Sequence, residues 1–525
     1  MSVATLDGSL PVAVDARDEV PAPAMTPRTR ALLQGPIVAT LLRMAWPNVL
    51  VMVAQAATGL IETWFVAKLG TDALAGMALV FPGVMLMQMI SAGAMGGGIS
   101  SAIARALGGG RRDQADALVM HALIINIALG VTCSVIMLAF GRPIYRALGG
   151  EGAALEAALA YSNVVFAGNV LLWLLNGFAS VIRGTGNMLV PALVICAGVV
   201  VLIPLSPVLI FGLGPFPALG IAGGGVALLV FYAAGTAVLT WYILSGRNIA
   251  RLRPSRLSWP LFRDILGVGA VAAVTSVQTN VIIALATALV AAAGGAAAAA
   301  GYGTAARLEY LLIPLVFGLG APLVAMVGTN IGAGQRERAL RIAMAGGAVA
   351  FVITGAVGIA AAVWPQAWIS LFSADPQVLA AGADYLRIVG PTYGFFGLAL
   401  ALYFASQGAG RLFWPLTAGF AHAGRHRRRL ACVACDRLVV MAVRGARAWA
   451  LFAWRHSPGR HRLRRLVSPP CSRARGPVLI SDPSIDRAGG ARPAHTPCYA
   501  GAQDEGGTPW TSRSSASTTA SPMAG

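Results

Sequence analysis

Apolar residues fill this chain from about residue 44 to residue 407, in runs that are too long for strands. Two stretches, 184–246 and 265–306, contain no Asp, Glu, Lys or Arg. A helix crosses a bilayer with about 20 apolar residues, so each stretch can cross it. Apolar runs bounded by glycine, proline or charge predict ten membrane spans, at about 44–67, 73–104, 117–141, 157–182, 190–212, 221–245, 265–292, 302–328, 342–364 and 385–407. The predicted fold class is an all-α polytopic membrane protein.

Composition supports this class and limits the partners. Of the 525 residues, 57% are hydrophobic and 11% are charged, with a mean hydropathy of +0.72, whereas soluble domains are about 25% charged. The net charge is +19, but residues 421–525 hold 17 of the 39 basic and 5 of the 20 acidic residues. We therefore predict the lipid bilayer as the partner, and no nucleic acid.

Basic residues outside the tail predict the orientation. Most of them precede the first span or follow every second crossing, as in the cytoplasmic loops of membrane proteins; Arg142 and Arg146 are minor exceptions. We expect an inner (plasma) membrane protein with a polar cytoplasmic N-terminal segment at 1–43 and a cytoplasmic linker at 247–264. The arginines that carry this prediction are Arg28, Arg30, Arg43, Arg105, Arg111, Arg112, Arg183, Arg247, Arg251, Arg253, Arg256, Arg263, Arg336, Arg338 and Arg341.

The chain also repeats itself at a constant offset of 224 residues. ARALGGGRRDQA at 104–115 falls on GTNIGAGQRERA at 328–339, and VAKLG at 66–70 falls on VAAAG at 290–294. A third match aligns Tyr161 with Tyr385 and continues to the glycines that follow. The offset predicts a first lobe of six spans at 44–246 and a second lobe at 265–421. Two parallel repeats are a transporter architecture, with the substrate path between the lobes.

The second lobe lacks its last two spans. The offset predicts them at 416–435 and 446–468, but these windows carry four and six arginines. Each arginine in mid-membrane costs about 2.5–3.5 kcal/mol, so insertion is strongly disfavoured. Residues 422–525 therefore form a basic, aberrant tail, and only four spans of the second lobe are recognisable.

Three interpretations of this tail compete. His422, His426, Cys432 and Cys435 resemble zinc ligands, but no framing fold surrounds them, and we predict no metal site. A disordered basic tail fits the Pro, Ser, Gly and Arg content. The favoured hypothesis is translation out of frame: Lys68 is the single lysine, which indicates a GC-rich gene, and five of six His and four of six Cys lie in the tail.

Glu62 is the main candidate for chemistry, because it is the only acidic residue in the predicted spans of the first lobe. Ionisable groups inside membranes are costly and are usually functional. Gln55 lies on the same helix face, seven residues earlier. A carboxylate in a dehydrated cavity can exchange a proton or a sodium ion for a cationic substrate. The alternative is a Glu near the helix end that faces water.

The other polar positions in the spans are weaker candidates. Arg307 and Glu309 lie early in the eighth span and do not face each other, so they could anchor a loop as readily as bind substrate. The remaining candidates for the substrate cavity, which could equally form hydrogen bonds between helices, are Asn176, Gln278, Asn280, Tyr403 and Gln407. No nucleophile, metal cluster or cofactor motif indicates an enzyme, so we expect no cofactor beyond a coupling ion.

Several motifs occur in the order that is typical of one family. They are AWPNVL at 45–50, LIETWFVAKLGTDALAG at 60–76, ARALGGGRRDQA, RLEYLLIPLVFGLGAPLVAMVGTNIGAGQRERA at 307–339 and YFASQGAGR at 403–411. From about residue 40 to residue 421 the chain resembles the multidrug and toxic compound extrusion (MATE) transporters. The resemblance implies twelve helices in two six-helix lobes, which open alternately to the two sides. It implies export of organic cations and amphipathic compounds in exchange for protons or sodium ions, by a monomer.

The resemblance also implies residue roles. Glu62 occupies the place of an acidic residue, usually Asp, that couples cations in the first helix of the family. Gln278 stands about where some members carry a Glu in the seventh helix, so a cation site in the second lobe is in doubt. Two alternatives remain: a lipid-linked oligosaccharide flippase of the same superfamily, which usually needs cationic residues in its cavity, and an inactive, frameshifted gene product.

Overall fold

The computed structural model describes residues 26–413, with side chains throughout except at 280–289, 291–299, 310 and 311. All regular secondary structure in this range is helical, which confirms the all-α class. The predicted tail at 422–525, and most of the predicted N-terminal segment, lie outside the described residues.

Ten elements precede the linker between the lobes. They are α1 (Pro27–Gln34), α2 (Ile37–Ala67), α3 (Thr71–Gln88), a π-helix (Met89–Met95), α4 (Gly96–Gly108), α5 (Arg112–Ala147), α6 (Gly152–Ala167), α7 (Asn169–Gly184), α8 (Leu189–Phe211) and α9 (Ile221–Leu244). After the linker come α10 (Trp259–Gly332), α11 (Arg336–Val363), α12 (Pro365–Ile369), α13 (Pro376–Val389), a 3₁₀ turn (Gly390–Thr392) and α14 (Tyr393–Gly408).

The helices match the predicted spans in position. Within residues 26–413, nine helical segments are long and apolar enough to cross a membrane. A tenth crossing comes from α6 and α7, which bend by 48° at their junction. Large apolar side chains stay exposed around the bundle, among them Leu60, Val200 and Val352 at 75%, 70% and 66% exposure. Such an apolar exterior suits a lipid environment.

The predicted seventh and eighth spans both lie within α10, which runs for 74 residues, and each of them contains a stretch that is long and apolar enough to cross a membrane. A straight helix of that length would extend about 111 Å, yet both ends of α10 pack against α4. From Ala94 to Gly98, the contacting residues of α10 run backwards along the chain, from residue 272 to residue 265. From Gly93 to Ala104, they run forwards, from residue 317 to residue 328. The two arms of α10 therefore run in opposite directions and form two separate crossings.

The contact between α4 and the second arm of α10 follows the offset of 224 residues. A methyl group on Gly108 would collide with the carbonyl oxygen of Thr329, and one on Gly332 would collide with the carbonyl oxygen of Arg105. Thr329 and Gly332 are the repeat counterparts of Arg105 and Gly108, so each contact is the image of the other. We call this line of contact between the lobes, α4 and α7 on one side and α10 and α14 on the other, the seam.

The same offset relates the turns that end these helices. Gly110 and Gly334 have φ values of +74° and +75°, and Gly186 and Gly410 have +82° and +73°. This left-handed conformation is readily available only to glycine. The division of the chain into two repeats stays a prediction, and these paired contacts and turns support it.

The linker between the lobes is held against the first lobe. Asp116 of α5 accepts a hydrogen bond from the backbone N–H of Arg251 at 2.7 Å and lies 3.8 Å from the guanidinium of Arg253. One turn later, Nε2 of His121 accepts the backbone N–H of Ser258 at 3.0 Å. The extended linker is therefore part of the first lobe up to the start of α10.

Candidate functional site

Glu62 lies inside the first lobe, where it is 8% exposed. Its Oε1 has no hydrogen-bond partner among the described residues. Gly224 of α9 leaves room beside it: a methyl group there would lie 3.8 Å from Oε1 of Glu62 and 3.8 Å from the ring of Tyr161. Tyr232, also buried, interacts electrostatically with the carboxylate. A buried carboxylate without a donor needs a proton or a cation to offset the loss of its hydration.

A second polar group surrounds the π-helix. Asn176 of α7 is 3% exposed and donates hydrogen bonds to Oγ of Ser91 at 2.8 Å and Oε1 of Gln88 at 3.3 Å. A π-helix inside a longer helix disturbs the regular backbone hydrogen bonds and often marks a functional site. Here it presents its backbone and Ser91 to polar side chains in the middle of a membrane span.

The second lobe reaches the same π-helix across the seam. Nε2 of Gln407 donates to the carbonyl oxygen of Gly93 at 3.1 Å, and its Oε1 has no partner among the described residues. Tyr403, one turn earlier on α14, packs in a small cluster with Ala94. Three of the predicted candidates, Asn176, Tyr403 and Gln407, are thus brought together, whereas Glu62 belongs to a separate group.

Glu309 forms a third group, inside the second lobe. Its Oε1 accepts the hydroxyl protons of Tyr385 at 2.6 Å and Tyr393 at 3.3 Å. Tyr385 is the repeat counterpart of Tyr161, which lies beside Glu62. Each lobe therefore places a tyrosine of its fourth span next to a carboxylate, buried at Glu62 and half-buried at Glu309, although the two carboxylates come from different helices.

The remaining candidates do not join these groups. Arg307 is exposed and lies 5.1 Å from the ring centroid of Phe372, which fits a loop anchor. Gln55 and Gln278 are half-buried, and no hydrogen bond of either side chain is observed within residues 26–413. The side chain of Asn280 lies outside the described residues.

Sequence reasoning missed several members of these groups, and it misplaced Arg183. Ser91 and Gln88 carried no signal, but Tyr161 and Tyr385 did, because both occur at the same place in the repeat. We expected Arg183 in a basic loop after the fourth span. That expectation is wrong, because α7 continues to Gly184 and packs on all sides, which leaves Arg183 only 8% exposed.

Comparisons with known proteins identify the family. The MatE family model matches residues 47–208 and 272–425, more than half of the chain. A FAD transporter of Shewanella oneidensis is 30% identical over 374 residues, which cover 70% of this chain and 82% of that protein. A probable multidrug resistance protein NorM of Thermotoga maritima is 26% identical over 385 residues, covering 72% and 82%.

Solved structures agree on the fold. A crystal structure of MATE in complex with MaD3S superimposes with a TM-score of 0.73 at 24% identity, over 84% of this chain and 99% of that one. A transporter of the MOP superfamily from Pyrococcus furiosus superimposes with a TM-score of 0.71 at 23% identity, over 85% and 100%. The polytopic helical fold, the match to the family model and the relatives together show that the chain belongs to the MATE family of membrane transporters.

Proposed function

We propose that this chain is a secondary active multidrug exporter in which entry of a proton or a sodium ion at Glu62 drives export of organic cations or amphipathic compounds. Transport would run across the inner membrane, with the N-terminus in the cytoplasm. Relatives named as multidrug resistance proteins support the export function. The basic loops after every second span support the orientation.

The observation that carries the coupling role is the state of the Glu62 side chain. It combines burial, an unpartnered Oε1 and two neighbouring tyrosines in a membrane span. A structural carboxylate would be expected to have donors that satisfy it, as Glu309 has. A carboxylate that must gain and lose a cation during each cycle has to remain without permanent donors.

The test is export of a cationic dye from everted vesicles in which a proton or a sodium gradient is imposed separately. We expect Glu62→Gln to lower gradient-driven export at least about tenfold, because a neutral amide cannot exchange a cation. Glu156→Gln is the matched control, since that side chain is 62% exposed and pairs with Arg142 at the surface. Undiminished gradient-driven export by Glu62→Gln would remove Glu62 from the mechanism, and the gradient that drives export would identify the ion.

A second class of cargo can be tested in the same vesicles. The relative from Shewanella oneidensis is named a FAD transporter and is 30% identical to this chain, which favours a flavin dinucleotide as an alternative to organic cations. Loading vesicles with FAD in place of the dye tests this candidate directly. Export of FAD with no export of dye would select it.

Two further alternatives stay open. One is a flippase, which usually needs cationic residues in its cavity, and Arg183, buried in the last turn of α7, is a residue of that kind in the first lobe. The other is the hypothesis of an inactive gene product, which depends on the sequence of the tail at 422–525. Translating the other two reading frames of the gene decides this point: two apolar spans of about 20 residues in either frame would support the frameshift, and their absence would exclude it.

A further inference from the structure

Arg183 is a buried cation that neither the coupling site nor the polar group at the π-helix uses. It is 8% exposed, and its Nε has no hydrogen-bond partner in the part of the chain that the structure describes. No ion pair found within residues 26–413 includes it. Burying an unpaired guanidinium costs several kcal/mol, so a side chain in this state needs a negatively charged partner at some stage of the transport cycle.

The repeat locates this side chain at the seam. The counterpart of Arg183 at an offset of 224 residues is Gln407, whose side chain fills the space over Gly97 and bonds to Gly93 of the opposite lobe. One pair of contacts between the lobes is related by the same offset, that of Gly108 with Thr329 and that of Gly332 with Arg105. Helix α7 also contacts α10 of the opposite lobe. Arg183 therefore occupies the first-lobe position from which Gln407, in the second lobe, reaches across.

Other polar residues lie on the same face of α7. Asn176, Ser180 and Arg183 follow one another at intervals of four and three residues, which places them on one side of the helix. Ser180 accepts the hydroxyl proton of Ser100 of α4 through its carbonyl oxygen at 2.7 Å. This face leads from the π-helix in the middle of the span to the end of the bundle where Gly108 and Gly332 meet.

We propose that Arg183 recognises a negatively charged oxygen group of the cargo, such as a phosphate, when the lobes separate at the Gly108–Gly332 end of the seam. The inference rests on the proposed function as an exporter and adds to its cargo molecules that carry an anionic group. A guanidinium binds phosphate oxygens through a planar fork of N–H donors. In the closed seam the side chain is only 8% exposed, so a bulky anion can bind it only from the side that opens.

The test compares three probes with the full chain in liposomes. FAD carries a diphosphate, riboflavin shares its ring system without phosphate, and ethidium is a cation. We expect Arg183→Gln to raise the half-saturating concentration of FAD about tenfold or more, the effect of losing a charge-assisted hydrogen bond, and to leave riboflavin and ethidium unchanged. Arg183→Lys should restore part of the FAD affinity. The control is Arg341→Gln, at a side chain that is 74% exposed.

The possible outcomes separate the two proposals. Equal losses for all three probes, or no loss for FAD, would overturn the role of Arg183. Wild-type vesicles that transport none of the probes would refute the proposed function instead, and quenching of flavin fluorescence by the purified chain would still test whether FAD binding depends on Arg183. Competition by a polyprenyl diphosphate in the membrane, compared with competition by soluble pyrophosphate, distinguishes a lipid-linked anion from a soluble one. Failure of FAD and polyprenyl diphosphate to bind to wild-type protein would also overturn the inference.

Discussion

The contact of Gly332 with Arg105 gives the sharpest test of how the lobes meet. A methyl group at Gly332 would lie against the carbonyl oxygen, carbonyl carbon and Cα of Arg105, with the last two at 2.8 and 2.9 Å. All three are backbone atoms, so no side chain can rotate away. The substitution Gly332→Ala therefore requires α4 and α10 to move apart.

The size of the effect follows from this geometry. Overpacking a tight contact costs about 1–3 kcal/mol, and here the cost falls only on the state in which the seam is closed. The gain in helix propensity from Gly to Ala, about 1 kcal/mol at most, is the same in the open and closed states and cancels. Since about 1.4 kcal/mol corresponds to tenfold, the ratio of open to closed state should rise by about fivefold to 140-fold.

Labelling of a buried thiol measures this population. Ser101 is fully buried on α4, and its carbonyl lies near Gly328 of the opposite lobe. In a chain without its native cysteines, Ser101→Cys would place a thiol at the seam that a water-soluble maleimide reaches only when the lobes part. The labelling rate then follows the open fraction, and Gly332→Ala should raise it by the same factor.

Gly267→Ala is the matched control, because Gly267 also belongs to α10 and a methyl group there would meet no atom within 4 Å. It should leave the labelling rate unchanged. Equal rates in the two variants would show that the close approach of α4 and α10 does not hold the seam closed.

Two further predictions concern stability. Tyr385→Phe removes a hydrogen bond of 2.6 Å to the Glu309 carboxylate and should cost about 1.5–3 kcal/mol of unfolding free energy, seen as a lower thermal midpoint in detergent; Tyr393→Phe, whose bond is 3.3 Å, should cost less, and the reverse order would contradict the assignment. Asp116→Ala releases the backbone N–H of Arg251 and should speed tryptic cleavage of the linker, whereas Asp113→Ala at an exposed position of the same helix should not; equal cleavage would show that Asp116 does not hold the linker.

Much of the fold could be predicted because helices that cross a membrane must be apolar over about 20 residues, which the hydropathy of the sequence shows directly. The uncharged stretches 184–246 and 265–306 led to helices that cross the membrane, and the motifs around Glu62 and Gly332 led to the correct family. Family membership also confirms that the chain is a transporter and not an enzyme. The sequence marks the reversal within α10 by the glycine- and alanine-rich residues 293–301, which lie between the predicted seventh and eighth spans.

The candidate site was less predictable, because its members meet through packing between helices that are distant in sequence. Asn176 and Gln407 were identifiable as polar residues in apolar spans, but nothing in the sequence indicated that both form hydrogen bonds with one π-helix. Arg183 was assigned to a loop because charge near the end of an apolar run usually marks the membrane surface. Only its repeat counterpart, the uncharged Gln407, hinted that this position is buried.

The π-helix has a mechanical consequence for the second span. Each residue of its wider winding adds less rotation than a residue of an α-helix, so Met89–Met95 turns α4 about its axis relative to α3. Because of this turn, one continuous helical span contacts α6 of its own lobe through α3 and contacts the opposite lobe through α4. Removing a single residue from this segment would restore regular winding and swing the surface of α4 away from its partner, with every side chain of the chain otherwise unchanged. The number of residues in the π-helix therefore sets the rotation of α4 relative to α3. It determines how the lobes dock as much as the chemistry of the side chains does.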